Sequence, residues 1–469
     1  MRDTELSSAD AVKVVLAVAT ITFASSFIPG LVLRPEWQSQ ELGWTAVDDG
    51  YYESAWNSKG ELQLAWIGIY GVHYALMFGQ RVDGAWNLTA VAALAYEYQG
   101  VSMAIDAGDR VHICTYAHSG VDYTSLGPNV LYATNAYGGW SVEILNVTHA
   151  CTSAAVAVDA QDRVHVLYSR VPYYEEVNGN SSIVDMVKTS QGWDRNVLKT
   201  RWGPGNELQI RDVDGRPDGS IGMIYVVGSN WDKYDNSASG VLNYSILSEG
   251  QFAVDTELEP LDYVWAPNSL CHDVSGHAYV GIFRKQGDDC RLWYLTDRGG
   301  TWTGQDVAYA GGGRYHRPGG IAIFTDSQGA IHMGYNVRFW DGNYTNHSMR
   351  YSTNKSGQWE TTILDESSGW DVDTIEVTAD SRQNAHVAYF QRTTSTKHGD
   401  HDVSVYATNE PDDRFIWNAM VFSFTVMAPF AVMAVATVLL ILRSQTQRRR
   451  IRLRMNDTGI YDDLKRYWR

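Results

Sequence analysis

"MAIDAGDRVHICTY", residues 103–116, and "VAVDAQDRVHVLYS", residues 156–169, decide the fold. Each alternates apolar residues, breaks at an Asp-led polar turn, and resumes alternation with His at a fixed place. Strand, turn and strand is the reading, because side chains of an extended chain face opposite sides in alternation. "AIFTDSQGAIHMGY" (322–335) and "VTADSRQNAHVAYF" (377–390) repeat the unit. Weaker copies are "SAWNSKGELQLAW" (54–66), "DVDGRPDGSIGMIY" (212–225) and "LCHDVSGHAYVGIF" (270–283).

The first turn residues are Asn57, Asp106, Asp159, Arg216, Asp273, Asp326 and Asp380, spaced 49 to 57 residues apart. A fixed period of this kind is the mark of a repeat architecture. A second motif follows within each unit, as in "LYATNAYGGW", "RYSTNKSGQW" and "LWYLTDRGGTW": a strand, a Gly turn and a Trp that opens another strand. Four short strands per unit make a propeller blade. Residues 34–415 therefore form one all-β, seven-bladed β-propeller. The seventh unit has three strands, ending at "VSVYATN", and its outer strand comes from "EWQSQELGWTA", residues 36–46. This N-terminal strand closing the last blade removes open edges. It also brings both chain ends to one face, the face of the Asp and Gly turns. The opposite face carries the blade-to-blade loops and the second-to-third strand loops.

The stretch "TDRGGTW", Thr296 to Trp302, resembles the Asp-box of the sialidase-like (BNR repeat) β-propeller superfamily. Asp297, Gly299, Thr301 and Trp302 match, and Leu295 stands where Ser is expected; "TNAYGGW" and "TNKSGQW" keep Asn, Gly and Trp. The resemblance implies a fold. The Asp-box is a turn staple, in which a carboxylate satisfies backbone N–H groups, and carries no catalysis. Sialidases of the superfamily use an arginine triad, a Tyr with a Glu, and an acidic proton donor. No arginine motif of theirs precedes the first Asp-box here, and no catalytic residue is transferred.

The sequence has 469 residues and a formal charge of −17. That balance argues against nucleic acid, whose phosphates require clustered Lys and Arg. Two apolar runs flank the repeats, residues 14–33 and 416–442, each long enough to cross a bilayer core of about 30 Å. The leader 1–13 has net charge −1, unlike a basic signal-peptide start, so the first run reads as an uncleaved helix. The tail 443–469 holds nine Arg and Lys against three Asp, which places it in the cytoplasm. The expected topology is a two-pass protein of the cell membrane, with both termini cytoplasmic and the propeller extracellular. The cleaved alternative for the first run remains open.

The outward loops "SRVPYYEEVNGN", "GSNWDKYDNSASG", "VRFWDGNYTNHS" and "QRTTSTKHGDHD" are rich in aromatics, amides and carboxylates, which suits glycan or protein ligands. Nearer the axis come Tyr51, Tyr52, Glu53, Tyr98, Trp265, His316 and Arg317, the candidate ligand-binding residues. The function read from this is a non-enzymatic recognition or scaffold module, with membrane-protein subunits as further partners through the two helices. The alternative is a membrane-tethered sialidase-like glycoside hydrolase, which needs two carboxylates about 5 to 9.5 Å apart; Glu53, Glu207, Asp371 and Asp373 are its candidates. A convergent carboxylate pair at the central mouth would favour the enzyme.

No cofactor motif appears. Calcium is the metal that the Asp-rich loops admit, and "HGDHD", residues 398–402, offers weak ligand spacing. The repeated His112, His165, His332 and His386 read as packing residues, because propeller symmetry keeps equivalent positions too far apart to share a metal. Glycosylation sequons stand at Asn87, Asn146, Asn180, Asn243, Asn343, Asn346 and Asn354. Cys114 and Cys151 are expected as a disulfide between adjacent blades. Cys271 and Cys290 sit too far apart for one.

Overall fold

The computed structural model describes the strands and most turns of residues 37–410, together with 436–437, 439–451 and 454. Outside the described residues lie 1–36, 411–435 and 455–469, and also 46–51, 71–72, 95–97, 118–129, 146–149, 172–179, 204–206, 230–238, 262–267, 287–288, 313–318, 341–344, 369–374, 396–398, 438 and 452–453.

Residues 37–409 form one compact unit, whose described residues make 28 strands in seven four-stranded antiparallel sheets. The chain enters on β1 (Gln38–Thr45). Blade one is β2 (Tyr52–Trp56), β3 (Leu62–Tyr70), β4 (His73–Val82) and β5 (Ala85–Leu94); blade two is β6 (Tyr98–Ile105), β7 (Val111–Ala117), β8 (Val130–Thr134) and β9 (Ser141–Leu145). Blade three is β10 (Ala150–Val158), β11 (Val164–Val171), β12 (Asn180–Thr189) and β13 (Gly192–Trp202); blade four is β14 (Glu207–Gly215), β15 (Ile221–Ser229), β16 (Ser239–Ser248) and β17 (Gln251–Leu261). Blade five is β18 (Ser269–His272), β19 (Ala278–Gln286), β20 (Asp289–Thr296) and β21 (Thr303–Gly312); blade six is β22 (Ile321–Thr325), β23 (Ile331–Trp340), β24 (Thr345–Thr353) and β25 (Glu360–Ser368). Blade seven holds β26 (Ile375–Ala379), β27 (Ala385–Ser395) and β28 (Gly399–Thr408), and β1 completes it as the outer strand. Gln38 pairs with Thr408 and Thr45 with Asp402, so the first strand does close the last blade.

All seven turn anchors lie between the first and second strands of their blades, and the turn geometry is one design repeated. The N–H three residues on donates to the anchor carbonyl, from Gly60, Asp109, Asp162, Gly219, Gly276, Gly329 and Gln383. Each of these has positive φ, between 56° and 82°, where glycine is at ease and other residues are strained. Where the anchor is Asp or Asn, its side-chain oxygen also accepts N–H groups two and four residues on. The third-to-fourth strand turns, and in blade seven the chain exit after β28, carry the second staple. Asp297, Asn135, Asn354 and Asn409 each accept a second-strand N–H, at 2.7 to 2.9 Å. Asn thus performs the Asp-box function in this chain.

Blades are joined by their tryptophans. Trp86, Trp140, Trp193, Trp302, Trp359 and Trp37 each pack on a third-strand aromatic of the preceding blade, at ring separations of 5.0 to 5.9 Å. Such contacts add to the area buried between sheets. The junction of blades three and four departs from the rule. Asp185 stands where the Tyr would be, Phe252 stacks within its own blade on Tyr225, and Lys199 reaches across to the Tyr225 hydroxyl and to Asp255 at 2.6 Å.

Residues 439–451 are helical and belong to a separate unit with both chain termini. Among the described residues no helix is long and apolar enough to cross a membrane. The first apolar run and most of the second lie outside the described residues.

Candidate functional site

The innermost strand of every blade has one edge without a neighbouring strand, and an N–H left unpaired there, away from water, costs stability. In blades two, four and five the residue four positions before the turn anchor answers this need. Ser102 Oγ accepts the Val156 N–H of the next blade at 3.0 Å, Ser269 Oγ that of Ile323 at 3.3 Å, and Asp212 Oδ2 that of Leu270 at 2.7 Å. In blade seven the same position is Glu376, which takes the Ser54 hydroxyl of blade one at 2.9 Å. In blade one it is Glu53. Three of the seven equivalent positions are thus carboxylates, on β2, β14 and β26.

These acids act on one another across the axis. Burial first, then Glu376, Asp212 and Asp214, push the Glu53 carboxyl well above the usual range. Glu376 is pushed up to about 8, by burial and then by Asp212, against the Ser54 hydrogen bond. Asp212 is pushed up to about 7 by burial, with Asp214 adding to it, although the N–H groups of Leu270 and Val213 at 2.7 and 2.8 Å favour its ionised form. Asp214 accepts the His272 N–H at 2.8 Å and lies 2.9 Å from His272 Nδ1, while Nε2 of that ring lies 3.0 Å from the Tyr244 hydroxyl. With the proton on Nδ1, the ring donates to Asp214 and accepts from Tyr244.

Hydrolytic pairs work because their surroundings push two acidities apart, leaving one group ionised and one protonated. Here burial and mutual repulsion move Glu53, Glu376 and Asp212 in one direction.

Of the residues singled out from the sequence, Glu53 joins this group, with companions other than those expected. Glu207 is exposed at the start of β14, and Asp371 and Asp373 lie outside the described residues. Tyr52 is buried between Trp66 and Phe390 and donates its hydroxyl to the Tyr389 carbonyl at 3.1 Å. Tyr98 begins β6. Tyr51, Trp265, His316 and Arg317 fall outside the described residues, as do residues 172–179, 230–238, 341–344 and 396–398 of the four outward loops. The missed members, Asp212, Asp214 and Glu376, were signalled by the repeat itself, since counting back from each anchor aligns Asp212 and Glu376 with Glu53.

The repeated histidines pack as a relay inside each blade. His112 Nδ1 meets the Tyr132 hydroxyl at 2.7 Å and Nε2 meets Asp106 at 3.1 Å; His332 does the same with Tyr351 and Asp326, and His386 with Tyr406. His165 instead lies between Asp185 and Asp159, at 3.0 and 3.2 Å. Among the described residues no three His, Cys, Asp or Glu side chains are placed to hold a metal ion. His398 of "HGDHD" is outside the described residues.

The disulfide expected between Cys114 and Cys151 is not formed. Both are free and buried in one apolar cluster, and a bulge between Cys151 and Ser153 lets the Cys151 thiol donate to the Ser153 carbonyl at 3.3 Å. Burial pushes the Cys151 thiol up to about 12. Cys271 and Cys290 are also free. Among the sequons, Asn87 is exposed, Asn180 is half-buried, and Asn354 serves as a turn staple. Asn243 is buried with its amide on the Val241 carbonyl at 2.9 Å, which removes it from the surface. Asn346 lies on β24, and Asn146 and Asn343 are outside the described residues.

No protein-family model matches the chain, and no curated protein does. Several solved structures are similar to it. A polysaccharide lyase, an ulvan lyase bound to -[GlcA(1-4)Rha3S]-, is 12% identical with TM-score 0.46, covering 79% of this chain and 95% of its own. A protein of unknown function from Dyadobacter fermentans is 13% identical with TM-score 0.42, covering 80% and 99%. The Hadza microbial sialidase is 10% identical with TM-score 0.40, covering 61% and 63%. At these values the likeness concerns the fold and nothing further. The strand topology by itself makes the described unit a seven-bladed β-propeller.

Proposed function

We propose that this chain is a membrane-anchored propeller that recognises a glycan or protein on the face opposite its chain ends, without cleaving it. One observation carries the reading: Gln38 lies opposite Thr408, so entry and exit leave side by side from one face. Spans at 14–33 and 416–442 then tether that face and turn the other away from the bilayer, outside the cell. Both termini are cytoplasmic in this topology, and further membrane subunits meet the two helices. The outward face supports the reading with Trp202, which is 71% exposed at the far end of β13. A rigid aromatic there offers a sugar ring or an apolar side chain contact area at low entropic cost.

Full-length protein in nanodiscs, assayed on a glycan array and against polysaccharide turnover, tests this. Binding without product is expected. Product that appears with wild type and vanishes with Glu53→Gln would establish the hydrolase reading instead. Protease accessibility in intact cells tests the topology, with cleavage of the tail from outside as the result that overturns it.

A further inference from the structure

We propose that Asn87 carries an N-linked glycan that covers Val142 and Ile144 of the neighbouring blade, an inference that rests on the extracellular placement of the propeller. Asn87, Leu88 and Thr89 form a sequon on β5, the outer strand of blade one, and Asn87 and Thr89 are both exposed there. Side chains alternate between the two faces of a strand. A Cβ placed on Gly79 would meet both Trp86 and Leu88 at 3.0 Å, and Trp86 packs on Tyr406, so that face turns toward blade seven. Asn87 and Thr89 therefore turn toward blade two. Thr89 lies opposite Phe78, whose ring packs on Trp140 of blade two, in agreement with this direction.

Trp140 in turn faces blade one, and alternation puts Val142 and Ile144 of β9 on the same side. Glu143 between them points the other way, to Lys188 and Trp193 of blade three. Val142 and Ile144 are 41% and 57% exposed. The outer cleft between blades one and two thus has two branched apolar side chains on one wall and the sequon on the other. Blades three to seven do not repeat this, because one of the two positions equivalent to Val142 and Ile144 is filled by Arg195, Thr256, Asp306, Thr361 or Glu41. The β8–β9 pairing also runs without a bulge, so the edge keeps a regular shape that another chain could extend. A glycan on Asn87 lays the C–H faces of its sugar rings on Val142 and Ile144 and closes that edge. Its attachment forms a bond from Asn87 Nδ2 to C1 of a lipid-phosphate-linked oligosaccharide. The C1–O bond to phosphate breaks, the lipid phosphate leaves with the electron pair, and the amide gives up one proton.

Site-resolved mass spectrometry of the full-length protein from its own source reads the modification, and sedimentation in detergent reads self-association. The β5 peptide should carry the glycan in wild type and in Thr89→Ser, and lose it in Asn87→Gln and Thr89→Ala. Both glycan-free variants should sediment as larger species than wild type, and adding Val142→Thr with Ile144→Thr should reverse that. A bare Asn87 on a propeller open to protease in intact cells, or unaltered sedimentation of the glycan-free variants, overturns the proposal. A bare Asn87 on a propeller shielded from protease overturns the extracellular placement, and the proposal with it. If Asn87→Gln does not fold, Thr89→Ala, which leaves Asn87 in place, still decides between these outcomes.

Discussion

The anchored turns show single residues setting backbone conformation. Gly329 and Gln383 hold equivalent positions at φ +81° and +63°, and nothing lies within 4 Å of a Cβ placed on Gly329. Gly329→Ala should therefore cost about 1 kcal/mol through the backbone alone, and Gln383→Gly should stabilise by up to that amount. Chemical unfolding midpoints check both signs. The histidine relay gives a second prediction. Burial lowers the pKa of His112 and of His332, whereas Asp185 and Asp159 outweigh burial and raise that of His165. Stability from His165 is thus complete below its unfolded value of about 6.5 and is lost as pH rises through its folded value. Asp185→Asn should lower the His165 titration midpoint, followed by imidazole NMR, while His332 stays unmoved. These turns were legible in the sequence because their chemistry is local: an Asp or Asn, a positive-φ residue three further on, and a His six further on. The Asp at 185 was not, because it is read only against the Tyr of other blades.

At the level of strands, β13 carries two tryptophans with opposite tasks. Trp193 sits at the turn end, packs on Tyr132 of blade two and donates to Glu143 at 2.9 Å. Lys188 binds that same carboxylate and lies 4.7 Å from the Trp193 ring centroid. Trp193→Ala should destabilise the protein by about 3 kcal/mol, as the loss of a large packed aromatic does. Trp202→Ala, at the exposed end, should stay within about 0.5 kcal/mol yet weaken capture of glycan or protein ligand. Thermal melts beside a binding assay separate the two, and ligand capture untouched by Trp202→Ala would move the recognition surface elsewhere. The strands themselves were readable from alternation and the Trp-led repeats. Bulges were not, and they occur in the third-to-fourth strand pairing of five blades and between β1 and β28. They twist outer edges that would otherwise template pairing with another chain.

For the whole molecule, the axial acids were hidden because they come from blades one, four and seven, some 160 residues apart, and only ring closure brings them together. Closure itself was legible, since a seventh unit one strand short and an unassigned Trp-led segment before the first unit complete each other. That closure rests on backbone pairing of β1 with β28 and on Leu42, 5% exposed in the cluster shared by blades six, seven and one. Ser39 lies directly opposite Ala407 in this pairing, and cross-strand partners have the Cα separation a disulfide requires. A Ser39→Cys, Ala407→Cys pair should form on oxidation and stabilise the folded chain by about 2 to 4 kcal/mol, because it closes nearly the whole propeller into one loop in the unfolded state. Melting temperatures of the oxidised and reduced double variant provide the measurement, with each single variant controlling for the larger side chain at 407. If the oxidised form melts no higher than the reduced, opening begins elsewhere in the ring. The blade three and four junction is then the next place to lock, since it alone replaces the aromatic staple with Lys199, Tyr225 and Asp255.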